Sequence, residues 1–210
     1  MQEIIVDKVS VQIKNVKILD DISISMEKGK IYGLRGRNGS GKTVLMKCIC
    51  GFMKTTSGTI TVCGKRIGKD IDFLPNAGII IEEPGFFTYT SGYENLKLLA
   101  GIKGIAKKED TCNAMDIVGL DYKNKKKVGK YSLGMRQRLA IAQAVMEKPD
   151  ILILDEPTNG LDEDGIEWFR NFLKSQKEQG KIVLIASHSK EDLDLLCDQI
   201  WRIDKGRLIG

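Results

Sequence analysis

Immediately after a short apolar run, the chain reads Gly36-Arg37-Asn38-Gly39-Ser40-Gly41-Lys42-Thr43. This stretch follows the pattern G-x-x-x-x-G-K-[ST] and leads into residues 44–50, which we predict to be helical. Its glycines let successive backbone N–H groups converge on an anion, and a helix N-terminus adds the positive end of its dipole. Lys42 contributes a mobile positive charge, and the Thr43 hydroxyl can ligate Mg²⁺. We therefore expect all eight residues to hold the phosphates of a nucleotide.

A flexible glycine-rich turn is the alternative explanation of residues 36–43. Average residue frequencies produce the bare pattern by chance in roughly one or two chains per hundred of this length. Requiring a strand before the pattern and a helix after it lowers that frequency by about another factor of ten. The apolar residues 31–34 supply the strand. Phosphate binding is therefore the favoured interpretation.

A second motif is the acidic end of an apolar run, where residues 151–154 lead into Asp155 and Glu156. Alternation along a strand directs the two carboxylates differently at its carboxyl end, where ligands bind in open α/β sheets. Asp155 then suits a role in organising Mg²⁺, and Glu156 can polarise an attacking water molecule. Acidic strand ends often mark only exposure to solvent. Together with the glycine-rich loop, this one indicates nucleotide hydrolysis.

The hydrophobic pattern predicts an α/β fold with a helical insertion. Continuously apolar runs at 151–154 and 182–186 are typical of a parallel sheet buried on both faces, whereas residues 22–26 alternate as in a sheet with one wet face. Between residues 91 and 146 the periodicity is helical: one helix starts at the capping box of Ser91 and Glu94, and others cover 107–118 and 132–147. The predicted strands are 22–26, 31–34, 59–63, 77–81, 151–154, 182–186 and 199–203.

Composition limits the class of protein without naming its function. The 210 residues suffice for one sizeable core, or at most two small ones, and no run approaches the ~20 apolar residues of a membrane-spanning helix. The first residues lack the pattern of a signal peptide. Much of the net charge of +5 can come from the lysines of residues 123–130, which we expect to form a solvated loop. Contact of this loop with nucleic acid or anionic lipid is the less favoured alternative.

The cysteines indicate a reduced compartment. They are odd in number and scattered in apolar contexts, so we expect small core residues of a cytosolic protein rather than disulfides. A zinc site is disfavoured because the spacing of the first two matches no common pattern and the chain has a single histidine. The five cysteines are Cys48, Cys50, Cys63, Cys112 and Cys197.

Three further segments narrow the interpretation. Residues 131–138 read YSLGMRQR, residues 157–162 read PTNGLD, and His188 follows the predicted strand at 182–186. With the glycine-rich loop and the acidic strand end, these make five motifs in a fixed order. Over essentially the whole chain they resemble the ATP-binding domains of ABC transporters.

The resemblance implies a P-loop NTPase (RecA-like) α/β core with an antiparallel β subdomain and an inserted α-helical subdomain. One nucleotide-binding domain would span 1–210, with its core at 1–83 and 148–210 and its helical subdomain at about 84–147. The implied activity is hydrolysis of ATP with Mg²⁺. The implied location of the protein is the cytoplasm, where it would be peripheral on the inner face of the cell membrane. The implied partner is a separate transmembrane permease subunit, and nucleic acid is not expected to bind.

The resemblance also assigns roles to residues outside the phosphate loop. In the family, the helix start at Ser132 and Gly134 contacts the γ-phosphate held by a partner chain, giving a head-to-tail homodimer or heterodimer with two ATP molecules at its interface. A hydroxyl and free backbone N–H groups suit that contact. Asp162 belongs to the family's D-loop, and His188 occupies the place of its switch histidine. A satisfied loop histidine is the alternative for His188.

Two departures from the family's pattern stand out. The family usually has Gln where the core meets the helical insertion, but this chain has Glu82, a possible Mg²⁺ ligand, followed by Glu83. The Glu variant, with Ser-Leu-Gly-Met in the signature motif, resembles the branch that exports or gives immunity to bacitracin-like and lantibiotic peptides. The second departure is Ile13, which replaces the aromatic residue that commonly stacks on adenine, so base selectivity is expected to be weaker.

Two alternative functions are less favoured by the motifs. A soluble ABC ATPase acting on ribosomes or DNA usually carries two such domains or a long coiled coil, and this chain is expected to have neither. A regulatory module without turnover is disfavoured because Lys42, Asp155, Glu156 and His188 are all present. The transported substrate and the direction of transport are not encoded in these motifs.

Overall fold

The computed structural model describes residues 3–209, whose strands form two sheets packed on either side of a helix. The helices are α1 (Lys42–Ile49), α2 (Gly92–Lys103), α3 (Lys108–Ile117), α4 (Leu133–Val145), α5 (Glu163–Glu178) and α6 (Lys190–Leu196). The strands are β1 (Glu3–Ile13), β2 (Val16–Glu27), β3 (Lys30–Arg35), β4 (Ser57–Val62), β5 (Lys65–Arg66), β6 (Ala77–Ile80), β7 (Ile151–Asp155), β8 (Ile182–Ser187), β9 (Gln199–Asp204) and β10 (Arg207–Ile209).

The larger sheet has six strands in the order β10-β9-β3-β8-β7-β6, and all its neighbouring pairs are parallel except β9 with β10. All six residues of β8 are buried, as its continuous apolar pattern predicted. Because β3, β8 and β7 run in the same direction, their carboxyl ends meet at one edge of the sheet. The mixed α/β fold predicted from the sequence is confirmed.

The smaller sheet is antiparallel, in the order β2-β1-β4-β5. Along β2, Ile22, Ile24 and Met26 are buried and the serines between them are exposed, which confirms the predicted alternation. These side chains join one apolar cluster with Leu45 of α1 and Ile153 of β7. Helix α1 is therefore sandwiched between the two sheets, and its amino end is held at the edge where the parallel strands finish.

The helical insertion packs on the other face of the six-stranded sheet. A second apolar cluster joins Leu96 of α2, Met115 of α3 and Leu139 of α4 to Leu152 and Val183 of the sheet. The capping box predicted at Ser91 is present, with both reciprocal hydrogen bonds formed. This cluster contains residues of both the sheet and the insertion, so packing does not mark a boundary between them. The division into a core and a helical subdomain at residues 83/84 and 147/148 therefore stays a prediction.

The sequence patterns missed five elements, β1, β5, β10, α5 and α6. Strand β1 escaped notice because its register against β2 shifts three times, and Lys8 within it has a positive φ of 48°. Strands β5 and β10 have two and three residues, too few for an alternation to be recognised. Helix α5 did carry a detectable signal, since Phe169, Phe172 and Leu173 recur on one buried face.

The placement of all cysteines in the core was wrong for Cys63, which is exposed in the turn after β4 at a φ of 51°. Cys48 and Cys50 are buried, and the other two are half-buried. All five are free thiols. Burial raises the pKa of Cys48 to about 11 and the pKa of Cys50 to about 12, so neither forms a thiolate readily near neutral pH.

Within residues 3–209, every helix is too short or too polar to cross a membrane.

Close packing of β6 against α4 makes Gly78 a sensitive position. A Cβ atom there would lie 2.0 Å from the carbonyl oxygen of Ala144, so the strand and the helix would have to separate. We predict that Gly78→Ala lowers the free energy of unfolding by about 2 kcal/mol or more, the usual cost of overpacking. Urea unfolding followed by circular dichroism measures the change.

Gly101→Ala is the matched control for Gly78→Ala. Position 101 lies in α2, and a Cβ atom there would meet nothing within 4 Å. We expect this variant to be more stable by roughly 0.5–1 kcal/mol, because Ala favours a helix over Gly. Equal unfolding midpoints for the two variants would contradict the tight packing of β6 on α4.

Candidate active site

The loop between β3 and α1 is shaped by its glycines. A Cβ atom on Gly36 would lie 2.4 Å from the carbonyl oxygen of Ile203, and Gly39 and Gly41 have φ values of 78° and 111°. Only glycine adopts all three positions without strain. Gly41 precedes α1 and no side chain caps the helix, so its first amides are left for another acceptor. The loop therefore has the backbone geometry of an anion cradle.

Lys42 lies inside this loop rather than in solvent. Its side chain is 6% exposed, and its amine donates to the carbonyl of Gly36 at 2.7 Å and to that of Arg37 at 3.4 Å. The same amine lies 4.0 Å from Oε1 of Glu156. A buried ammonium whose hydrogen bonds go only to carbonyl groups, with one carboxylate at the limit of ion-pair distance, is positioned to bind an anion that enters the loop.

Thr43 connects the loop to the acidic end of β7. Its hydroxyl donates to Oδ2 of Asp155 at 2.6 Å, across 112 residues of sequence. Burial raises the pKa of Asp155, and the hydrogen bond from Thr43 and the charge of Lys42 offset that shift in part. The glycine-rich loop and the acidic strand end, predicted separately, thus form one site.

Glu156, where the chain leaves β7, has a left-handed conformation, with a φ of 46°. Its Oε2 lies 2.8 Å from Nδ1 of His188, which follows β8 and has a side chain 68% exposed. Its Oε1 is buried without a hydrogen-bond partner among the described residues, as is the hydroxyl of Ser40. Buried polar atoms without partners are uncommon, and both of these lie at the predicted phosphate site.

The oxygen atoms at this site fit Mg²⁺. Within residues 3–209, no cluster of three or more His, Cys, Asp or Glu side chains could hold a metal ion. Mg²⁺ differs from most metals in needing only one or two protein oxygens, with phosphates and water completing its shell. Thr43 and Asp155 supply such a pair. They suit an ion that arrives with a nucleotide rather than a resident metal.

Glu82, the predicted third metal ligand, has a different contact here. Its carboxylate pairs with Lys47 of α1 at 2.6 Å, and its side chain is 65% exposed. It lines a cleft of about 500 Å³ together with Glu83, Asp155 and Glu156, so it faces the same space as the acidic strand end. The choice between Glu82 and Glu83 as a metal ligand stays open.

The other predicted site residues include Ser132 and Gly134 at the start of α4 and Asp162 at the start of α5. The hydroxyl of Ser132 caps α4 by accepting from the Met135 amide at 3.2 Å. A Cβ atom on Gly134 would lie 2.7 Å from the carbonyl oxygen of Gly160, so this helix start rests on the 157–162 loop. Asp162 caps α5 through the Gly165 amide at 3.0 Å.

Gln137, which lines the cleft with Asp155 and Glu156, was not singled out in the sequence. Gln137 donates from its amide to the carbonyl of Pro157 at 2.8 Å, which ties α4 to the loop after Glu156. Val16 faces Ile13 across the β1–β2 turn, and both side chains are exposed. The contact of Ile13 with the adenine base stays a prediction.

Comparison with known proteins decides the family, because the sequence profile described as "ABC transporter" matches residues 19–159. The chain belongs to the ABC transporter ATP-binding family. The chain, hereafter the cassette, is accordingly an ATP-binding subunit and an ATPase.

Relatives and a solved structure agree with this assignment. Over 94% of its length the cassette is 47% identical to the uncharacterized ABC transporter ATP-binding protein YybJ of Bacillus subtilis, covering 90% of that protein. It is 43% identical to the bacitracin transport protein BcrA of Bacillus licheniformis over 92% of this chain, and 38% identical to the lantibiotic transport protein SrtF of Streptococcus pyogenes over 91%. It covers 64% of BcrA and 82% of SrtF.

The fold matches the dimeric structure of MJ0796, a bacterial ABC transporter cassette, with a TM-score of 0.88. The match covers 99% of this chain and 97% of that one at 20% identity.

The buried ammonium of Lys42 leads to a prediction about binding. Lys42→Ala should lower the affinity for ATP at least ~10-fold, because the phosphates lose a charge-assisted hydrogen bond in a partly dry loop. Isothermal titration calorimetry measures the affinity for ATP. Lys54→Ala removes an equal charge from an exposed position beyond α1 and should leave the affinity unchanged. Equal affinities for Lys42→Ala and the wild type would show that the loop is only a turn.

Proposed function

We propose that the cassette hydrolyses ATP with Mg²⁺ in a head-to-tail dimer and drives a separate membrane subunit that exports antimicrobial peptides or drugs. The observation that carries this proposal is the convergence at one sheet edge of a buried ammonium, a hydroxyl–carboxylate pair and a second carboxylate bonded to an imidazole. These groups come from Lys42, Thr43, Asp155, Glu156 and His188.

The groups divide the chemical work by their positions. The loop amides and Lys42 bind the phosphates, and Thr43 with Asp155 would hold Mg²⁺, whose charge neutralises the phosphate oxygens during transfer. Glu156 accepts the proton of the attacking water through Oε1, which has no hydrogen-bond partner among the described residues. His188 orients that carboxylate through Oε2, and its exposure leaves the imidazole able to turn toward the γ-phosphate.

A dimer is proposed because the chain has a second helix start suited to phosphate. Ser132 caps α4 with its hydroxyl and is exposed, and Gly134 lets the first turn pack on the Gly160 carbonyl without a side chain in between. One chain already holds its phosphates with residues 36–43, so the second helix start is free to contact the nucleotide of another chain. Asp162, as the cap of α5, would steady the loop between the two chains. Homodimers and heterodimers both fit this geometry.

The cargo and the location follow from the relatives and remain part of the proposal. BcrA and SrtF carry names that state bacitracin and lantibiotic transport. Their similarity to this cassette, with Glu82 in the loop that enters the helical insertion, supports export of peptides or drugs. The cassette would work in the cytoplasm, peripheral on the inner face of the membrane, with a permease rather than nucleic acid as its partner.

The proposed base gives the main test. Glu156→Gln keeps the shape of the side chain but removes the proton acceptor, so we predict that turnover falls at least ~100-fold while ATP still binds. Dimers that contain unhydrolysed ATP should then accumulate and be visible by size-exclusion chromatography with light scattering.

Glu163→Gln serves as the control, because it makes the same chemical change at an exposed position in the first turn of α5. It should hydrolyse ATP at the wild-type rate. If Glu156→Gln did so too, another group would be the base, and if it stayed monomeric with ATP, the dimer would be refuted.

The ion pair of Glu82 with Lys47 provides a test of the metal site. If Glu82 ligates Mg²⁺, Glu82→Ala should weaken the metal affinity more than Glu82→Gln, which keeps one oxygen. Lys47→Ala should strengthen it, by at most ~5-fold because an exposed ion pair contributes little. The measurement is the Mg²⁺ dependence of ATP hydrolysis, with Mn²⁺ binding followed by electron paramagnetic resonance.

A double variant controls this experiment. In a Glu82→Gln background, Lys47→Ala should leave the Mg²⁺ affinity unchanged, because the carboxylate that pairs with Lys47 has already been removed. Wild-type behaviour of Glu82→Ala would remove Glu82 from the metal site and leave Glu83 as the candidate.

A further inference from the structure

Asn95 in α2 is a buried amide whose hydrogen bonds all go to the segment just before its helix. Its side chain is 1% exposed. Oδ1 accepts from the Phe87 amide at 2.7 Å, and Nδ2 donates to the Phe87 carbonyl at 3.1 Å. Nδ2 also lies 2.8 Å from the Thr90 hydroxyl and 2.9 Å from the Ser91 carbonyl, so its two N–H groups are shared among three acceptors. An amide that binds both backbone groups of one residue imitates a neighbouring strand, and it therefore holds residues 87–91 in a single conformation.

The held segment is itself paired with a distant part of the chain. The Val128 amide donates to the Thr90 carbonyl, and the Gly129 amide donates to the Thr88 carbonyl, each at 2.9 Å. Ser91 and Lys127 form an isolated antiparallel bridge. Residues 87–91 and 127–129 are thus joined as a short ladder, with Asn95 supporting one of its sides.

This ladder lies between two parts of the proposed active site. Residues 87–91 come directly after residues 82–86, which we call the Glu82 loop. Glu82 and Glu83 of this loop line the cleft with Asp155 and Glu156. On the other side, a single turn of 3-10 helix, Val128–Lys130, leads straight to the cap of α4 at Ser132. A Cβ atom on Gly92, the first residue of α2, would lie 2.7 Å from the hydroxyl of Tyr131, so the two helix starts are in direct contact.

We infer that Asn95 is a positioning residue that makes the Glu82 loop and the Ser132 helix start move as one piece. A displacement of residues 82–86 is carried through residues 87–91 and the ladder to the start of α4. The inference rests on the proposed function, in which that helix start contacts the nucleotide of a second chain. Asn95 acts through these backbone segments and touches no reacting group.

A buried amide needs hydrogen-bond partners in addition to space, whereas an apolar side chain needs only space. An amide placed in an apolar interior costs free energy unless its donors and acceptor find partners. An apolar residue of the same size would fill the space but would leave the Phe87 amide without a partner, whereas the Phe87 and Ser91 carbonyls would each keep another hydrogen bond. The amide of Asn95 therefore specifies the path of the 87–91 segment, where an apolar side chain would only fill volume.

Three variants test the inference. Asn95→Asp keeps the acceptor and the shape but removes the amide donors, and Thr90→Val removes one acceptor from outside the helix. Asn113→Asp makes the same change as the first variant at an exposed position of α3 and is the control. Thermal unfolding checks that each protein is folded. All variants are made in the full chain, alone and with Glu156→Gln.

The first readout is hydrogen exchange at the Val128 and Gly129 amides in the protein without nucleotide. Asn95→Asp should raise these exchange rates at least ~10-fold by freeing the ladder, and Thr90→Val should raise them about 3-fold. The second readout is a split between two affinities. ATP affinity of the single chain should stay within about 2-fold of the wild type, while ATP-driven dimerisation with Glu156→Gln should weaken at least ~10-fold for Asn95→Asp.

Several results would overturn the inference. Unchanged exchange at Val128 and Gly129 in folded Asn95→Asp would mean that the amide does not hold the ladder, and if that variant fails to fold, unchanged exchange in Thr90→Val has the same meaning. Loss of ATP affinity in parallel with dimerisation would indicate general damage. A Glu156→Gln protein that stays monomeric with ATP would refute the proposed dimer, and the exchange rates would then decide the link by themselves.

Discussion

Parallel pairing of β3, β8 and β7 is the constraint on which the candidate active site depends. The three strands end at the same edge of the sheet, so the loop after β3, the carboxylates after β7 and His188 after β8 are brought within reach of one another. The hydrogen bond from Thr43 to Asp155 closes this arrangement at 2.6 Å. A shift of one residue in the register would turn these side chains to the other face of the sheet.

Opposing charges and local backbone strain shape the site further. Lys42 is held by carbonyl groups only 4.0 Å from Glu156, while burial opposes ionisation of Asp155. Glu156 and Glu82 both have a positive φ, at 46° and 62°, which is uncommon for residues other than glycine. Strain of this kind persists where the surrounding structure imposes it and is concentrated at functional sites.

The helical insertion is bound to the core in more than one way. One apolar cluster runs from α2, α3 and α4 into the six-stranded sheet, and Gln137 ties α4 to the loop after Glu156. The Asn95 network adds a polar connection from the Glu82 loop to the start of α4. Because packed cores have discrete rather than continuous arrangements, the insertion and the site are expected to change together.

The sequence by itself determined the features encoded within a few residues. The glycine-rich loop ahead of a helix, the alternation of 22–26, the capping box at Ser91 and the cap at Ser132 were all predicted, because each depends on local spacing. Only the tertiary structure decided the partners of Glu82 and Asn95, the exposure of Cys63 and the bulged path of β1. These depend on register and on contacts between distant segments, and the periodicity of one sequence does not specify which distant segments will meet.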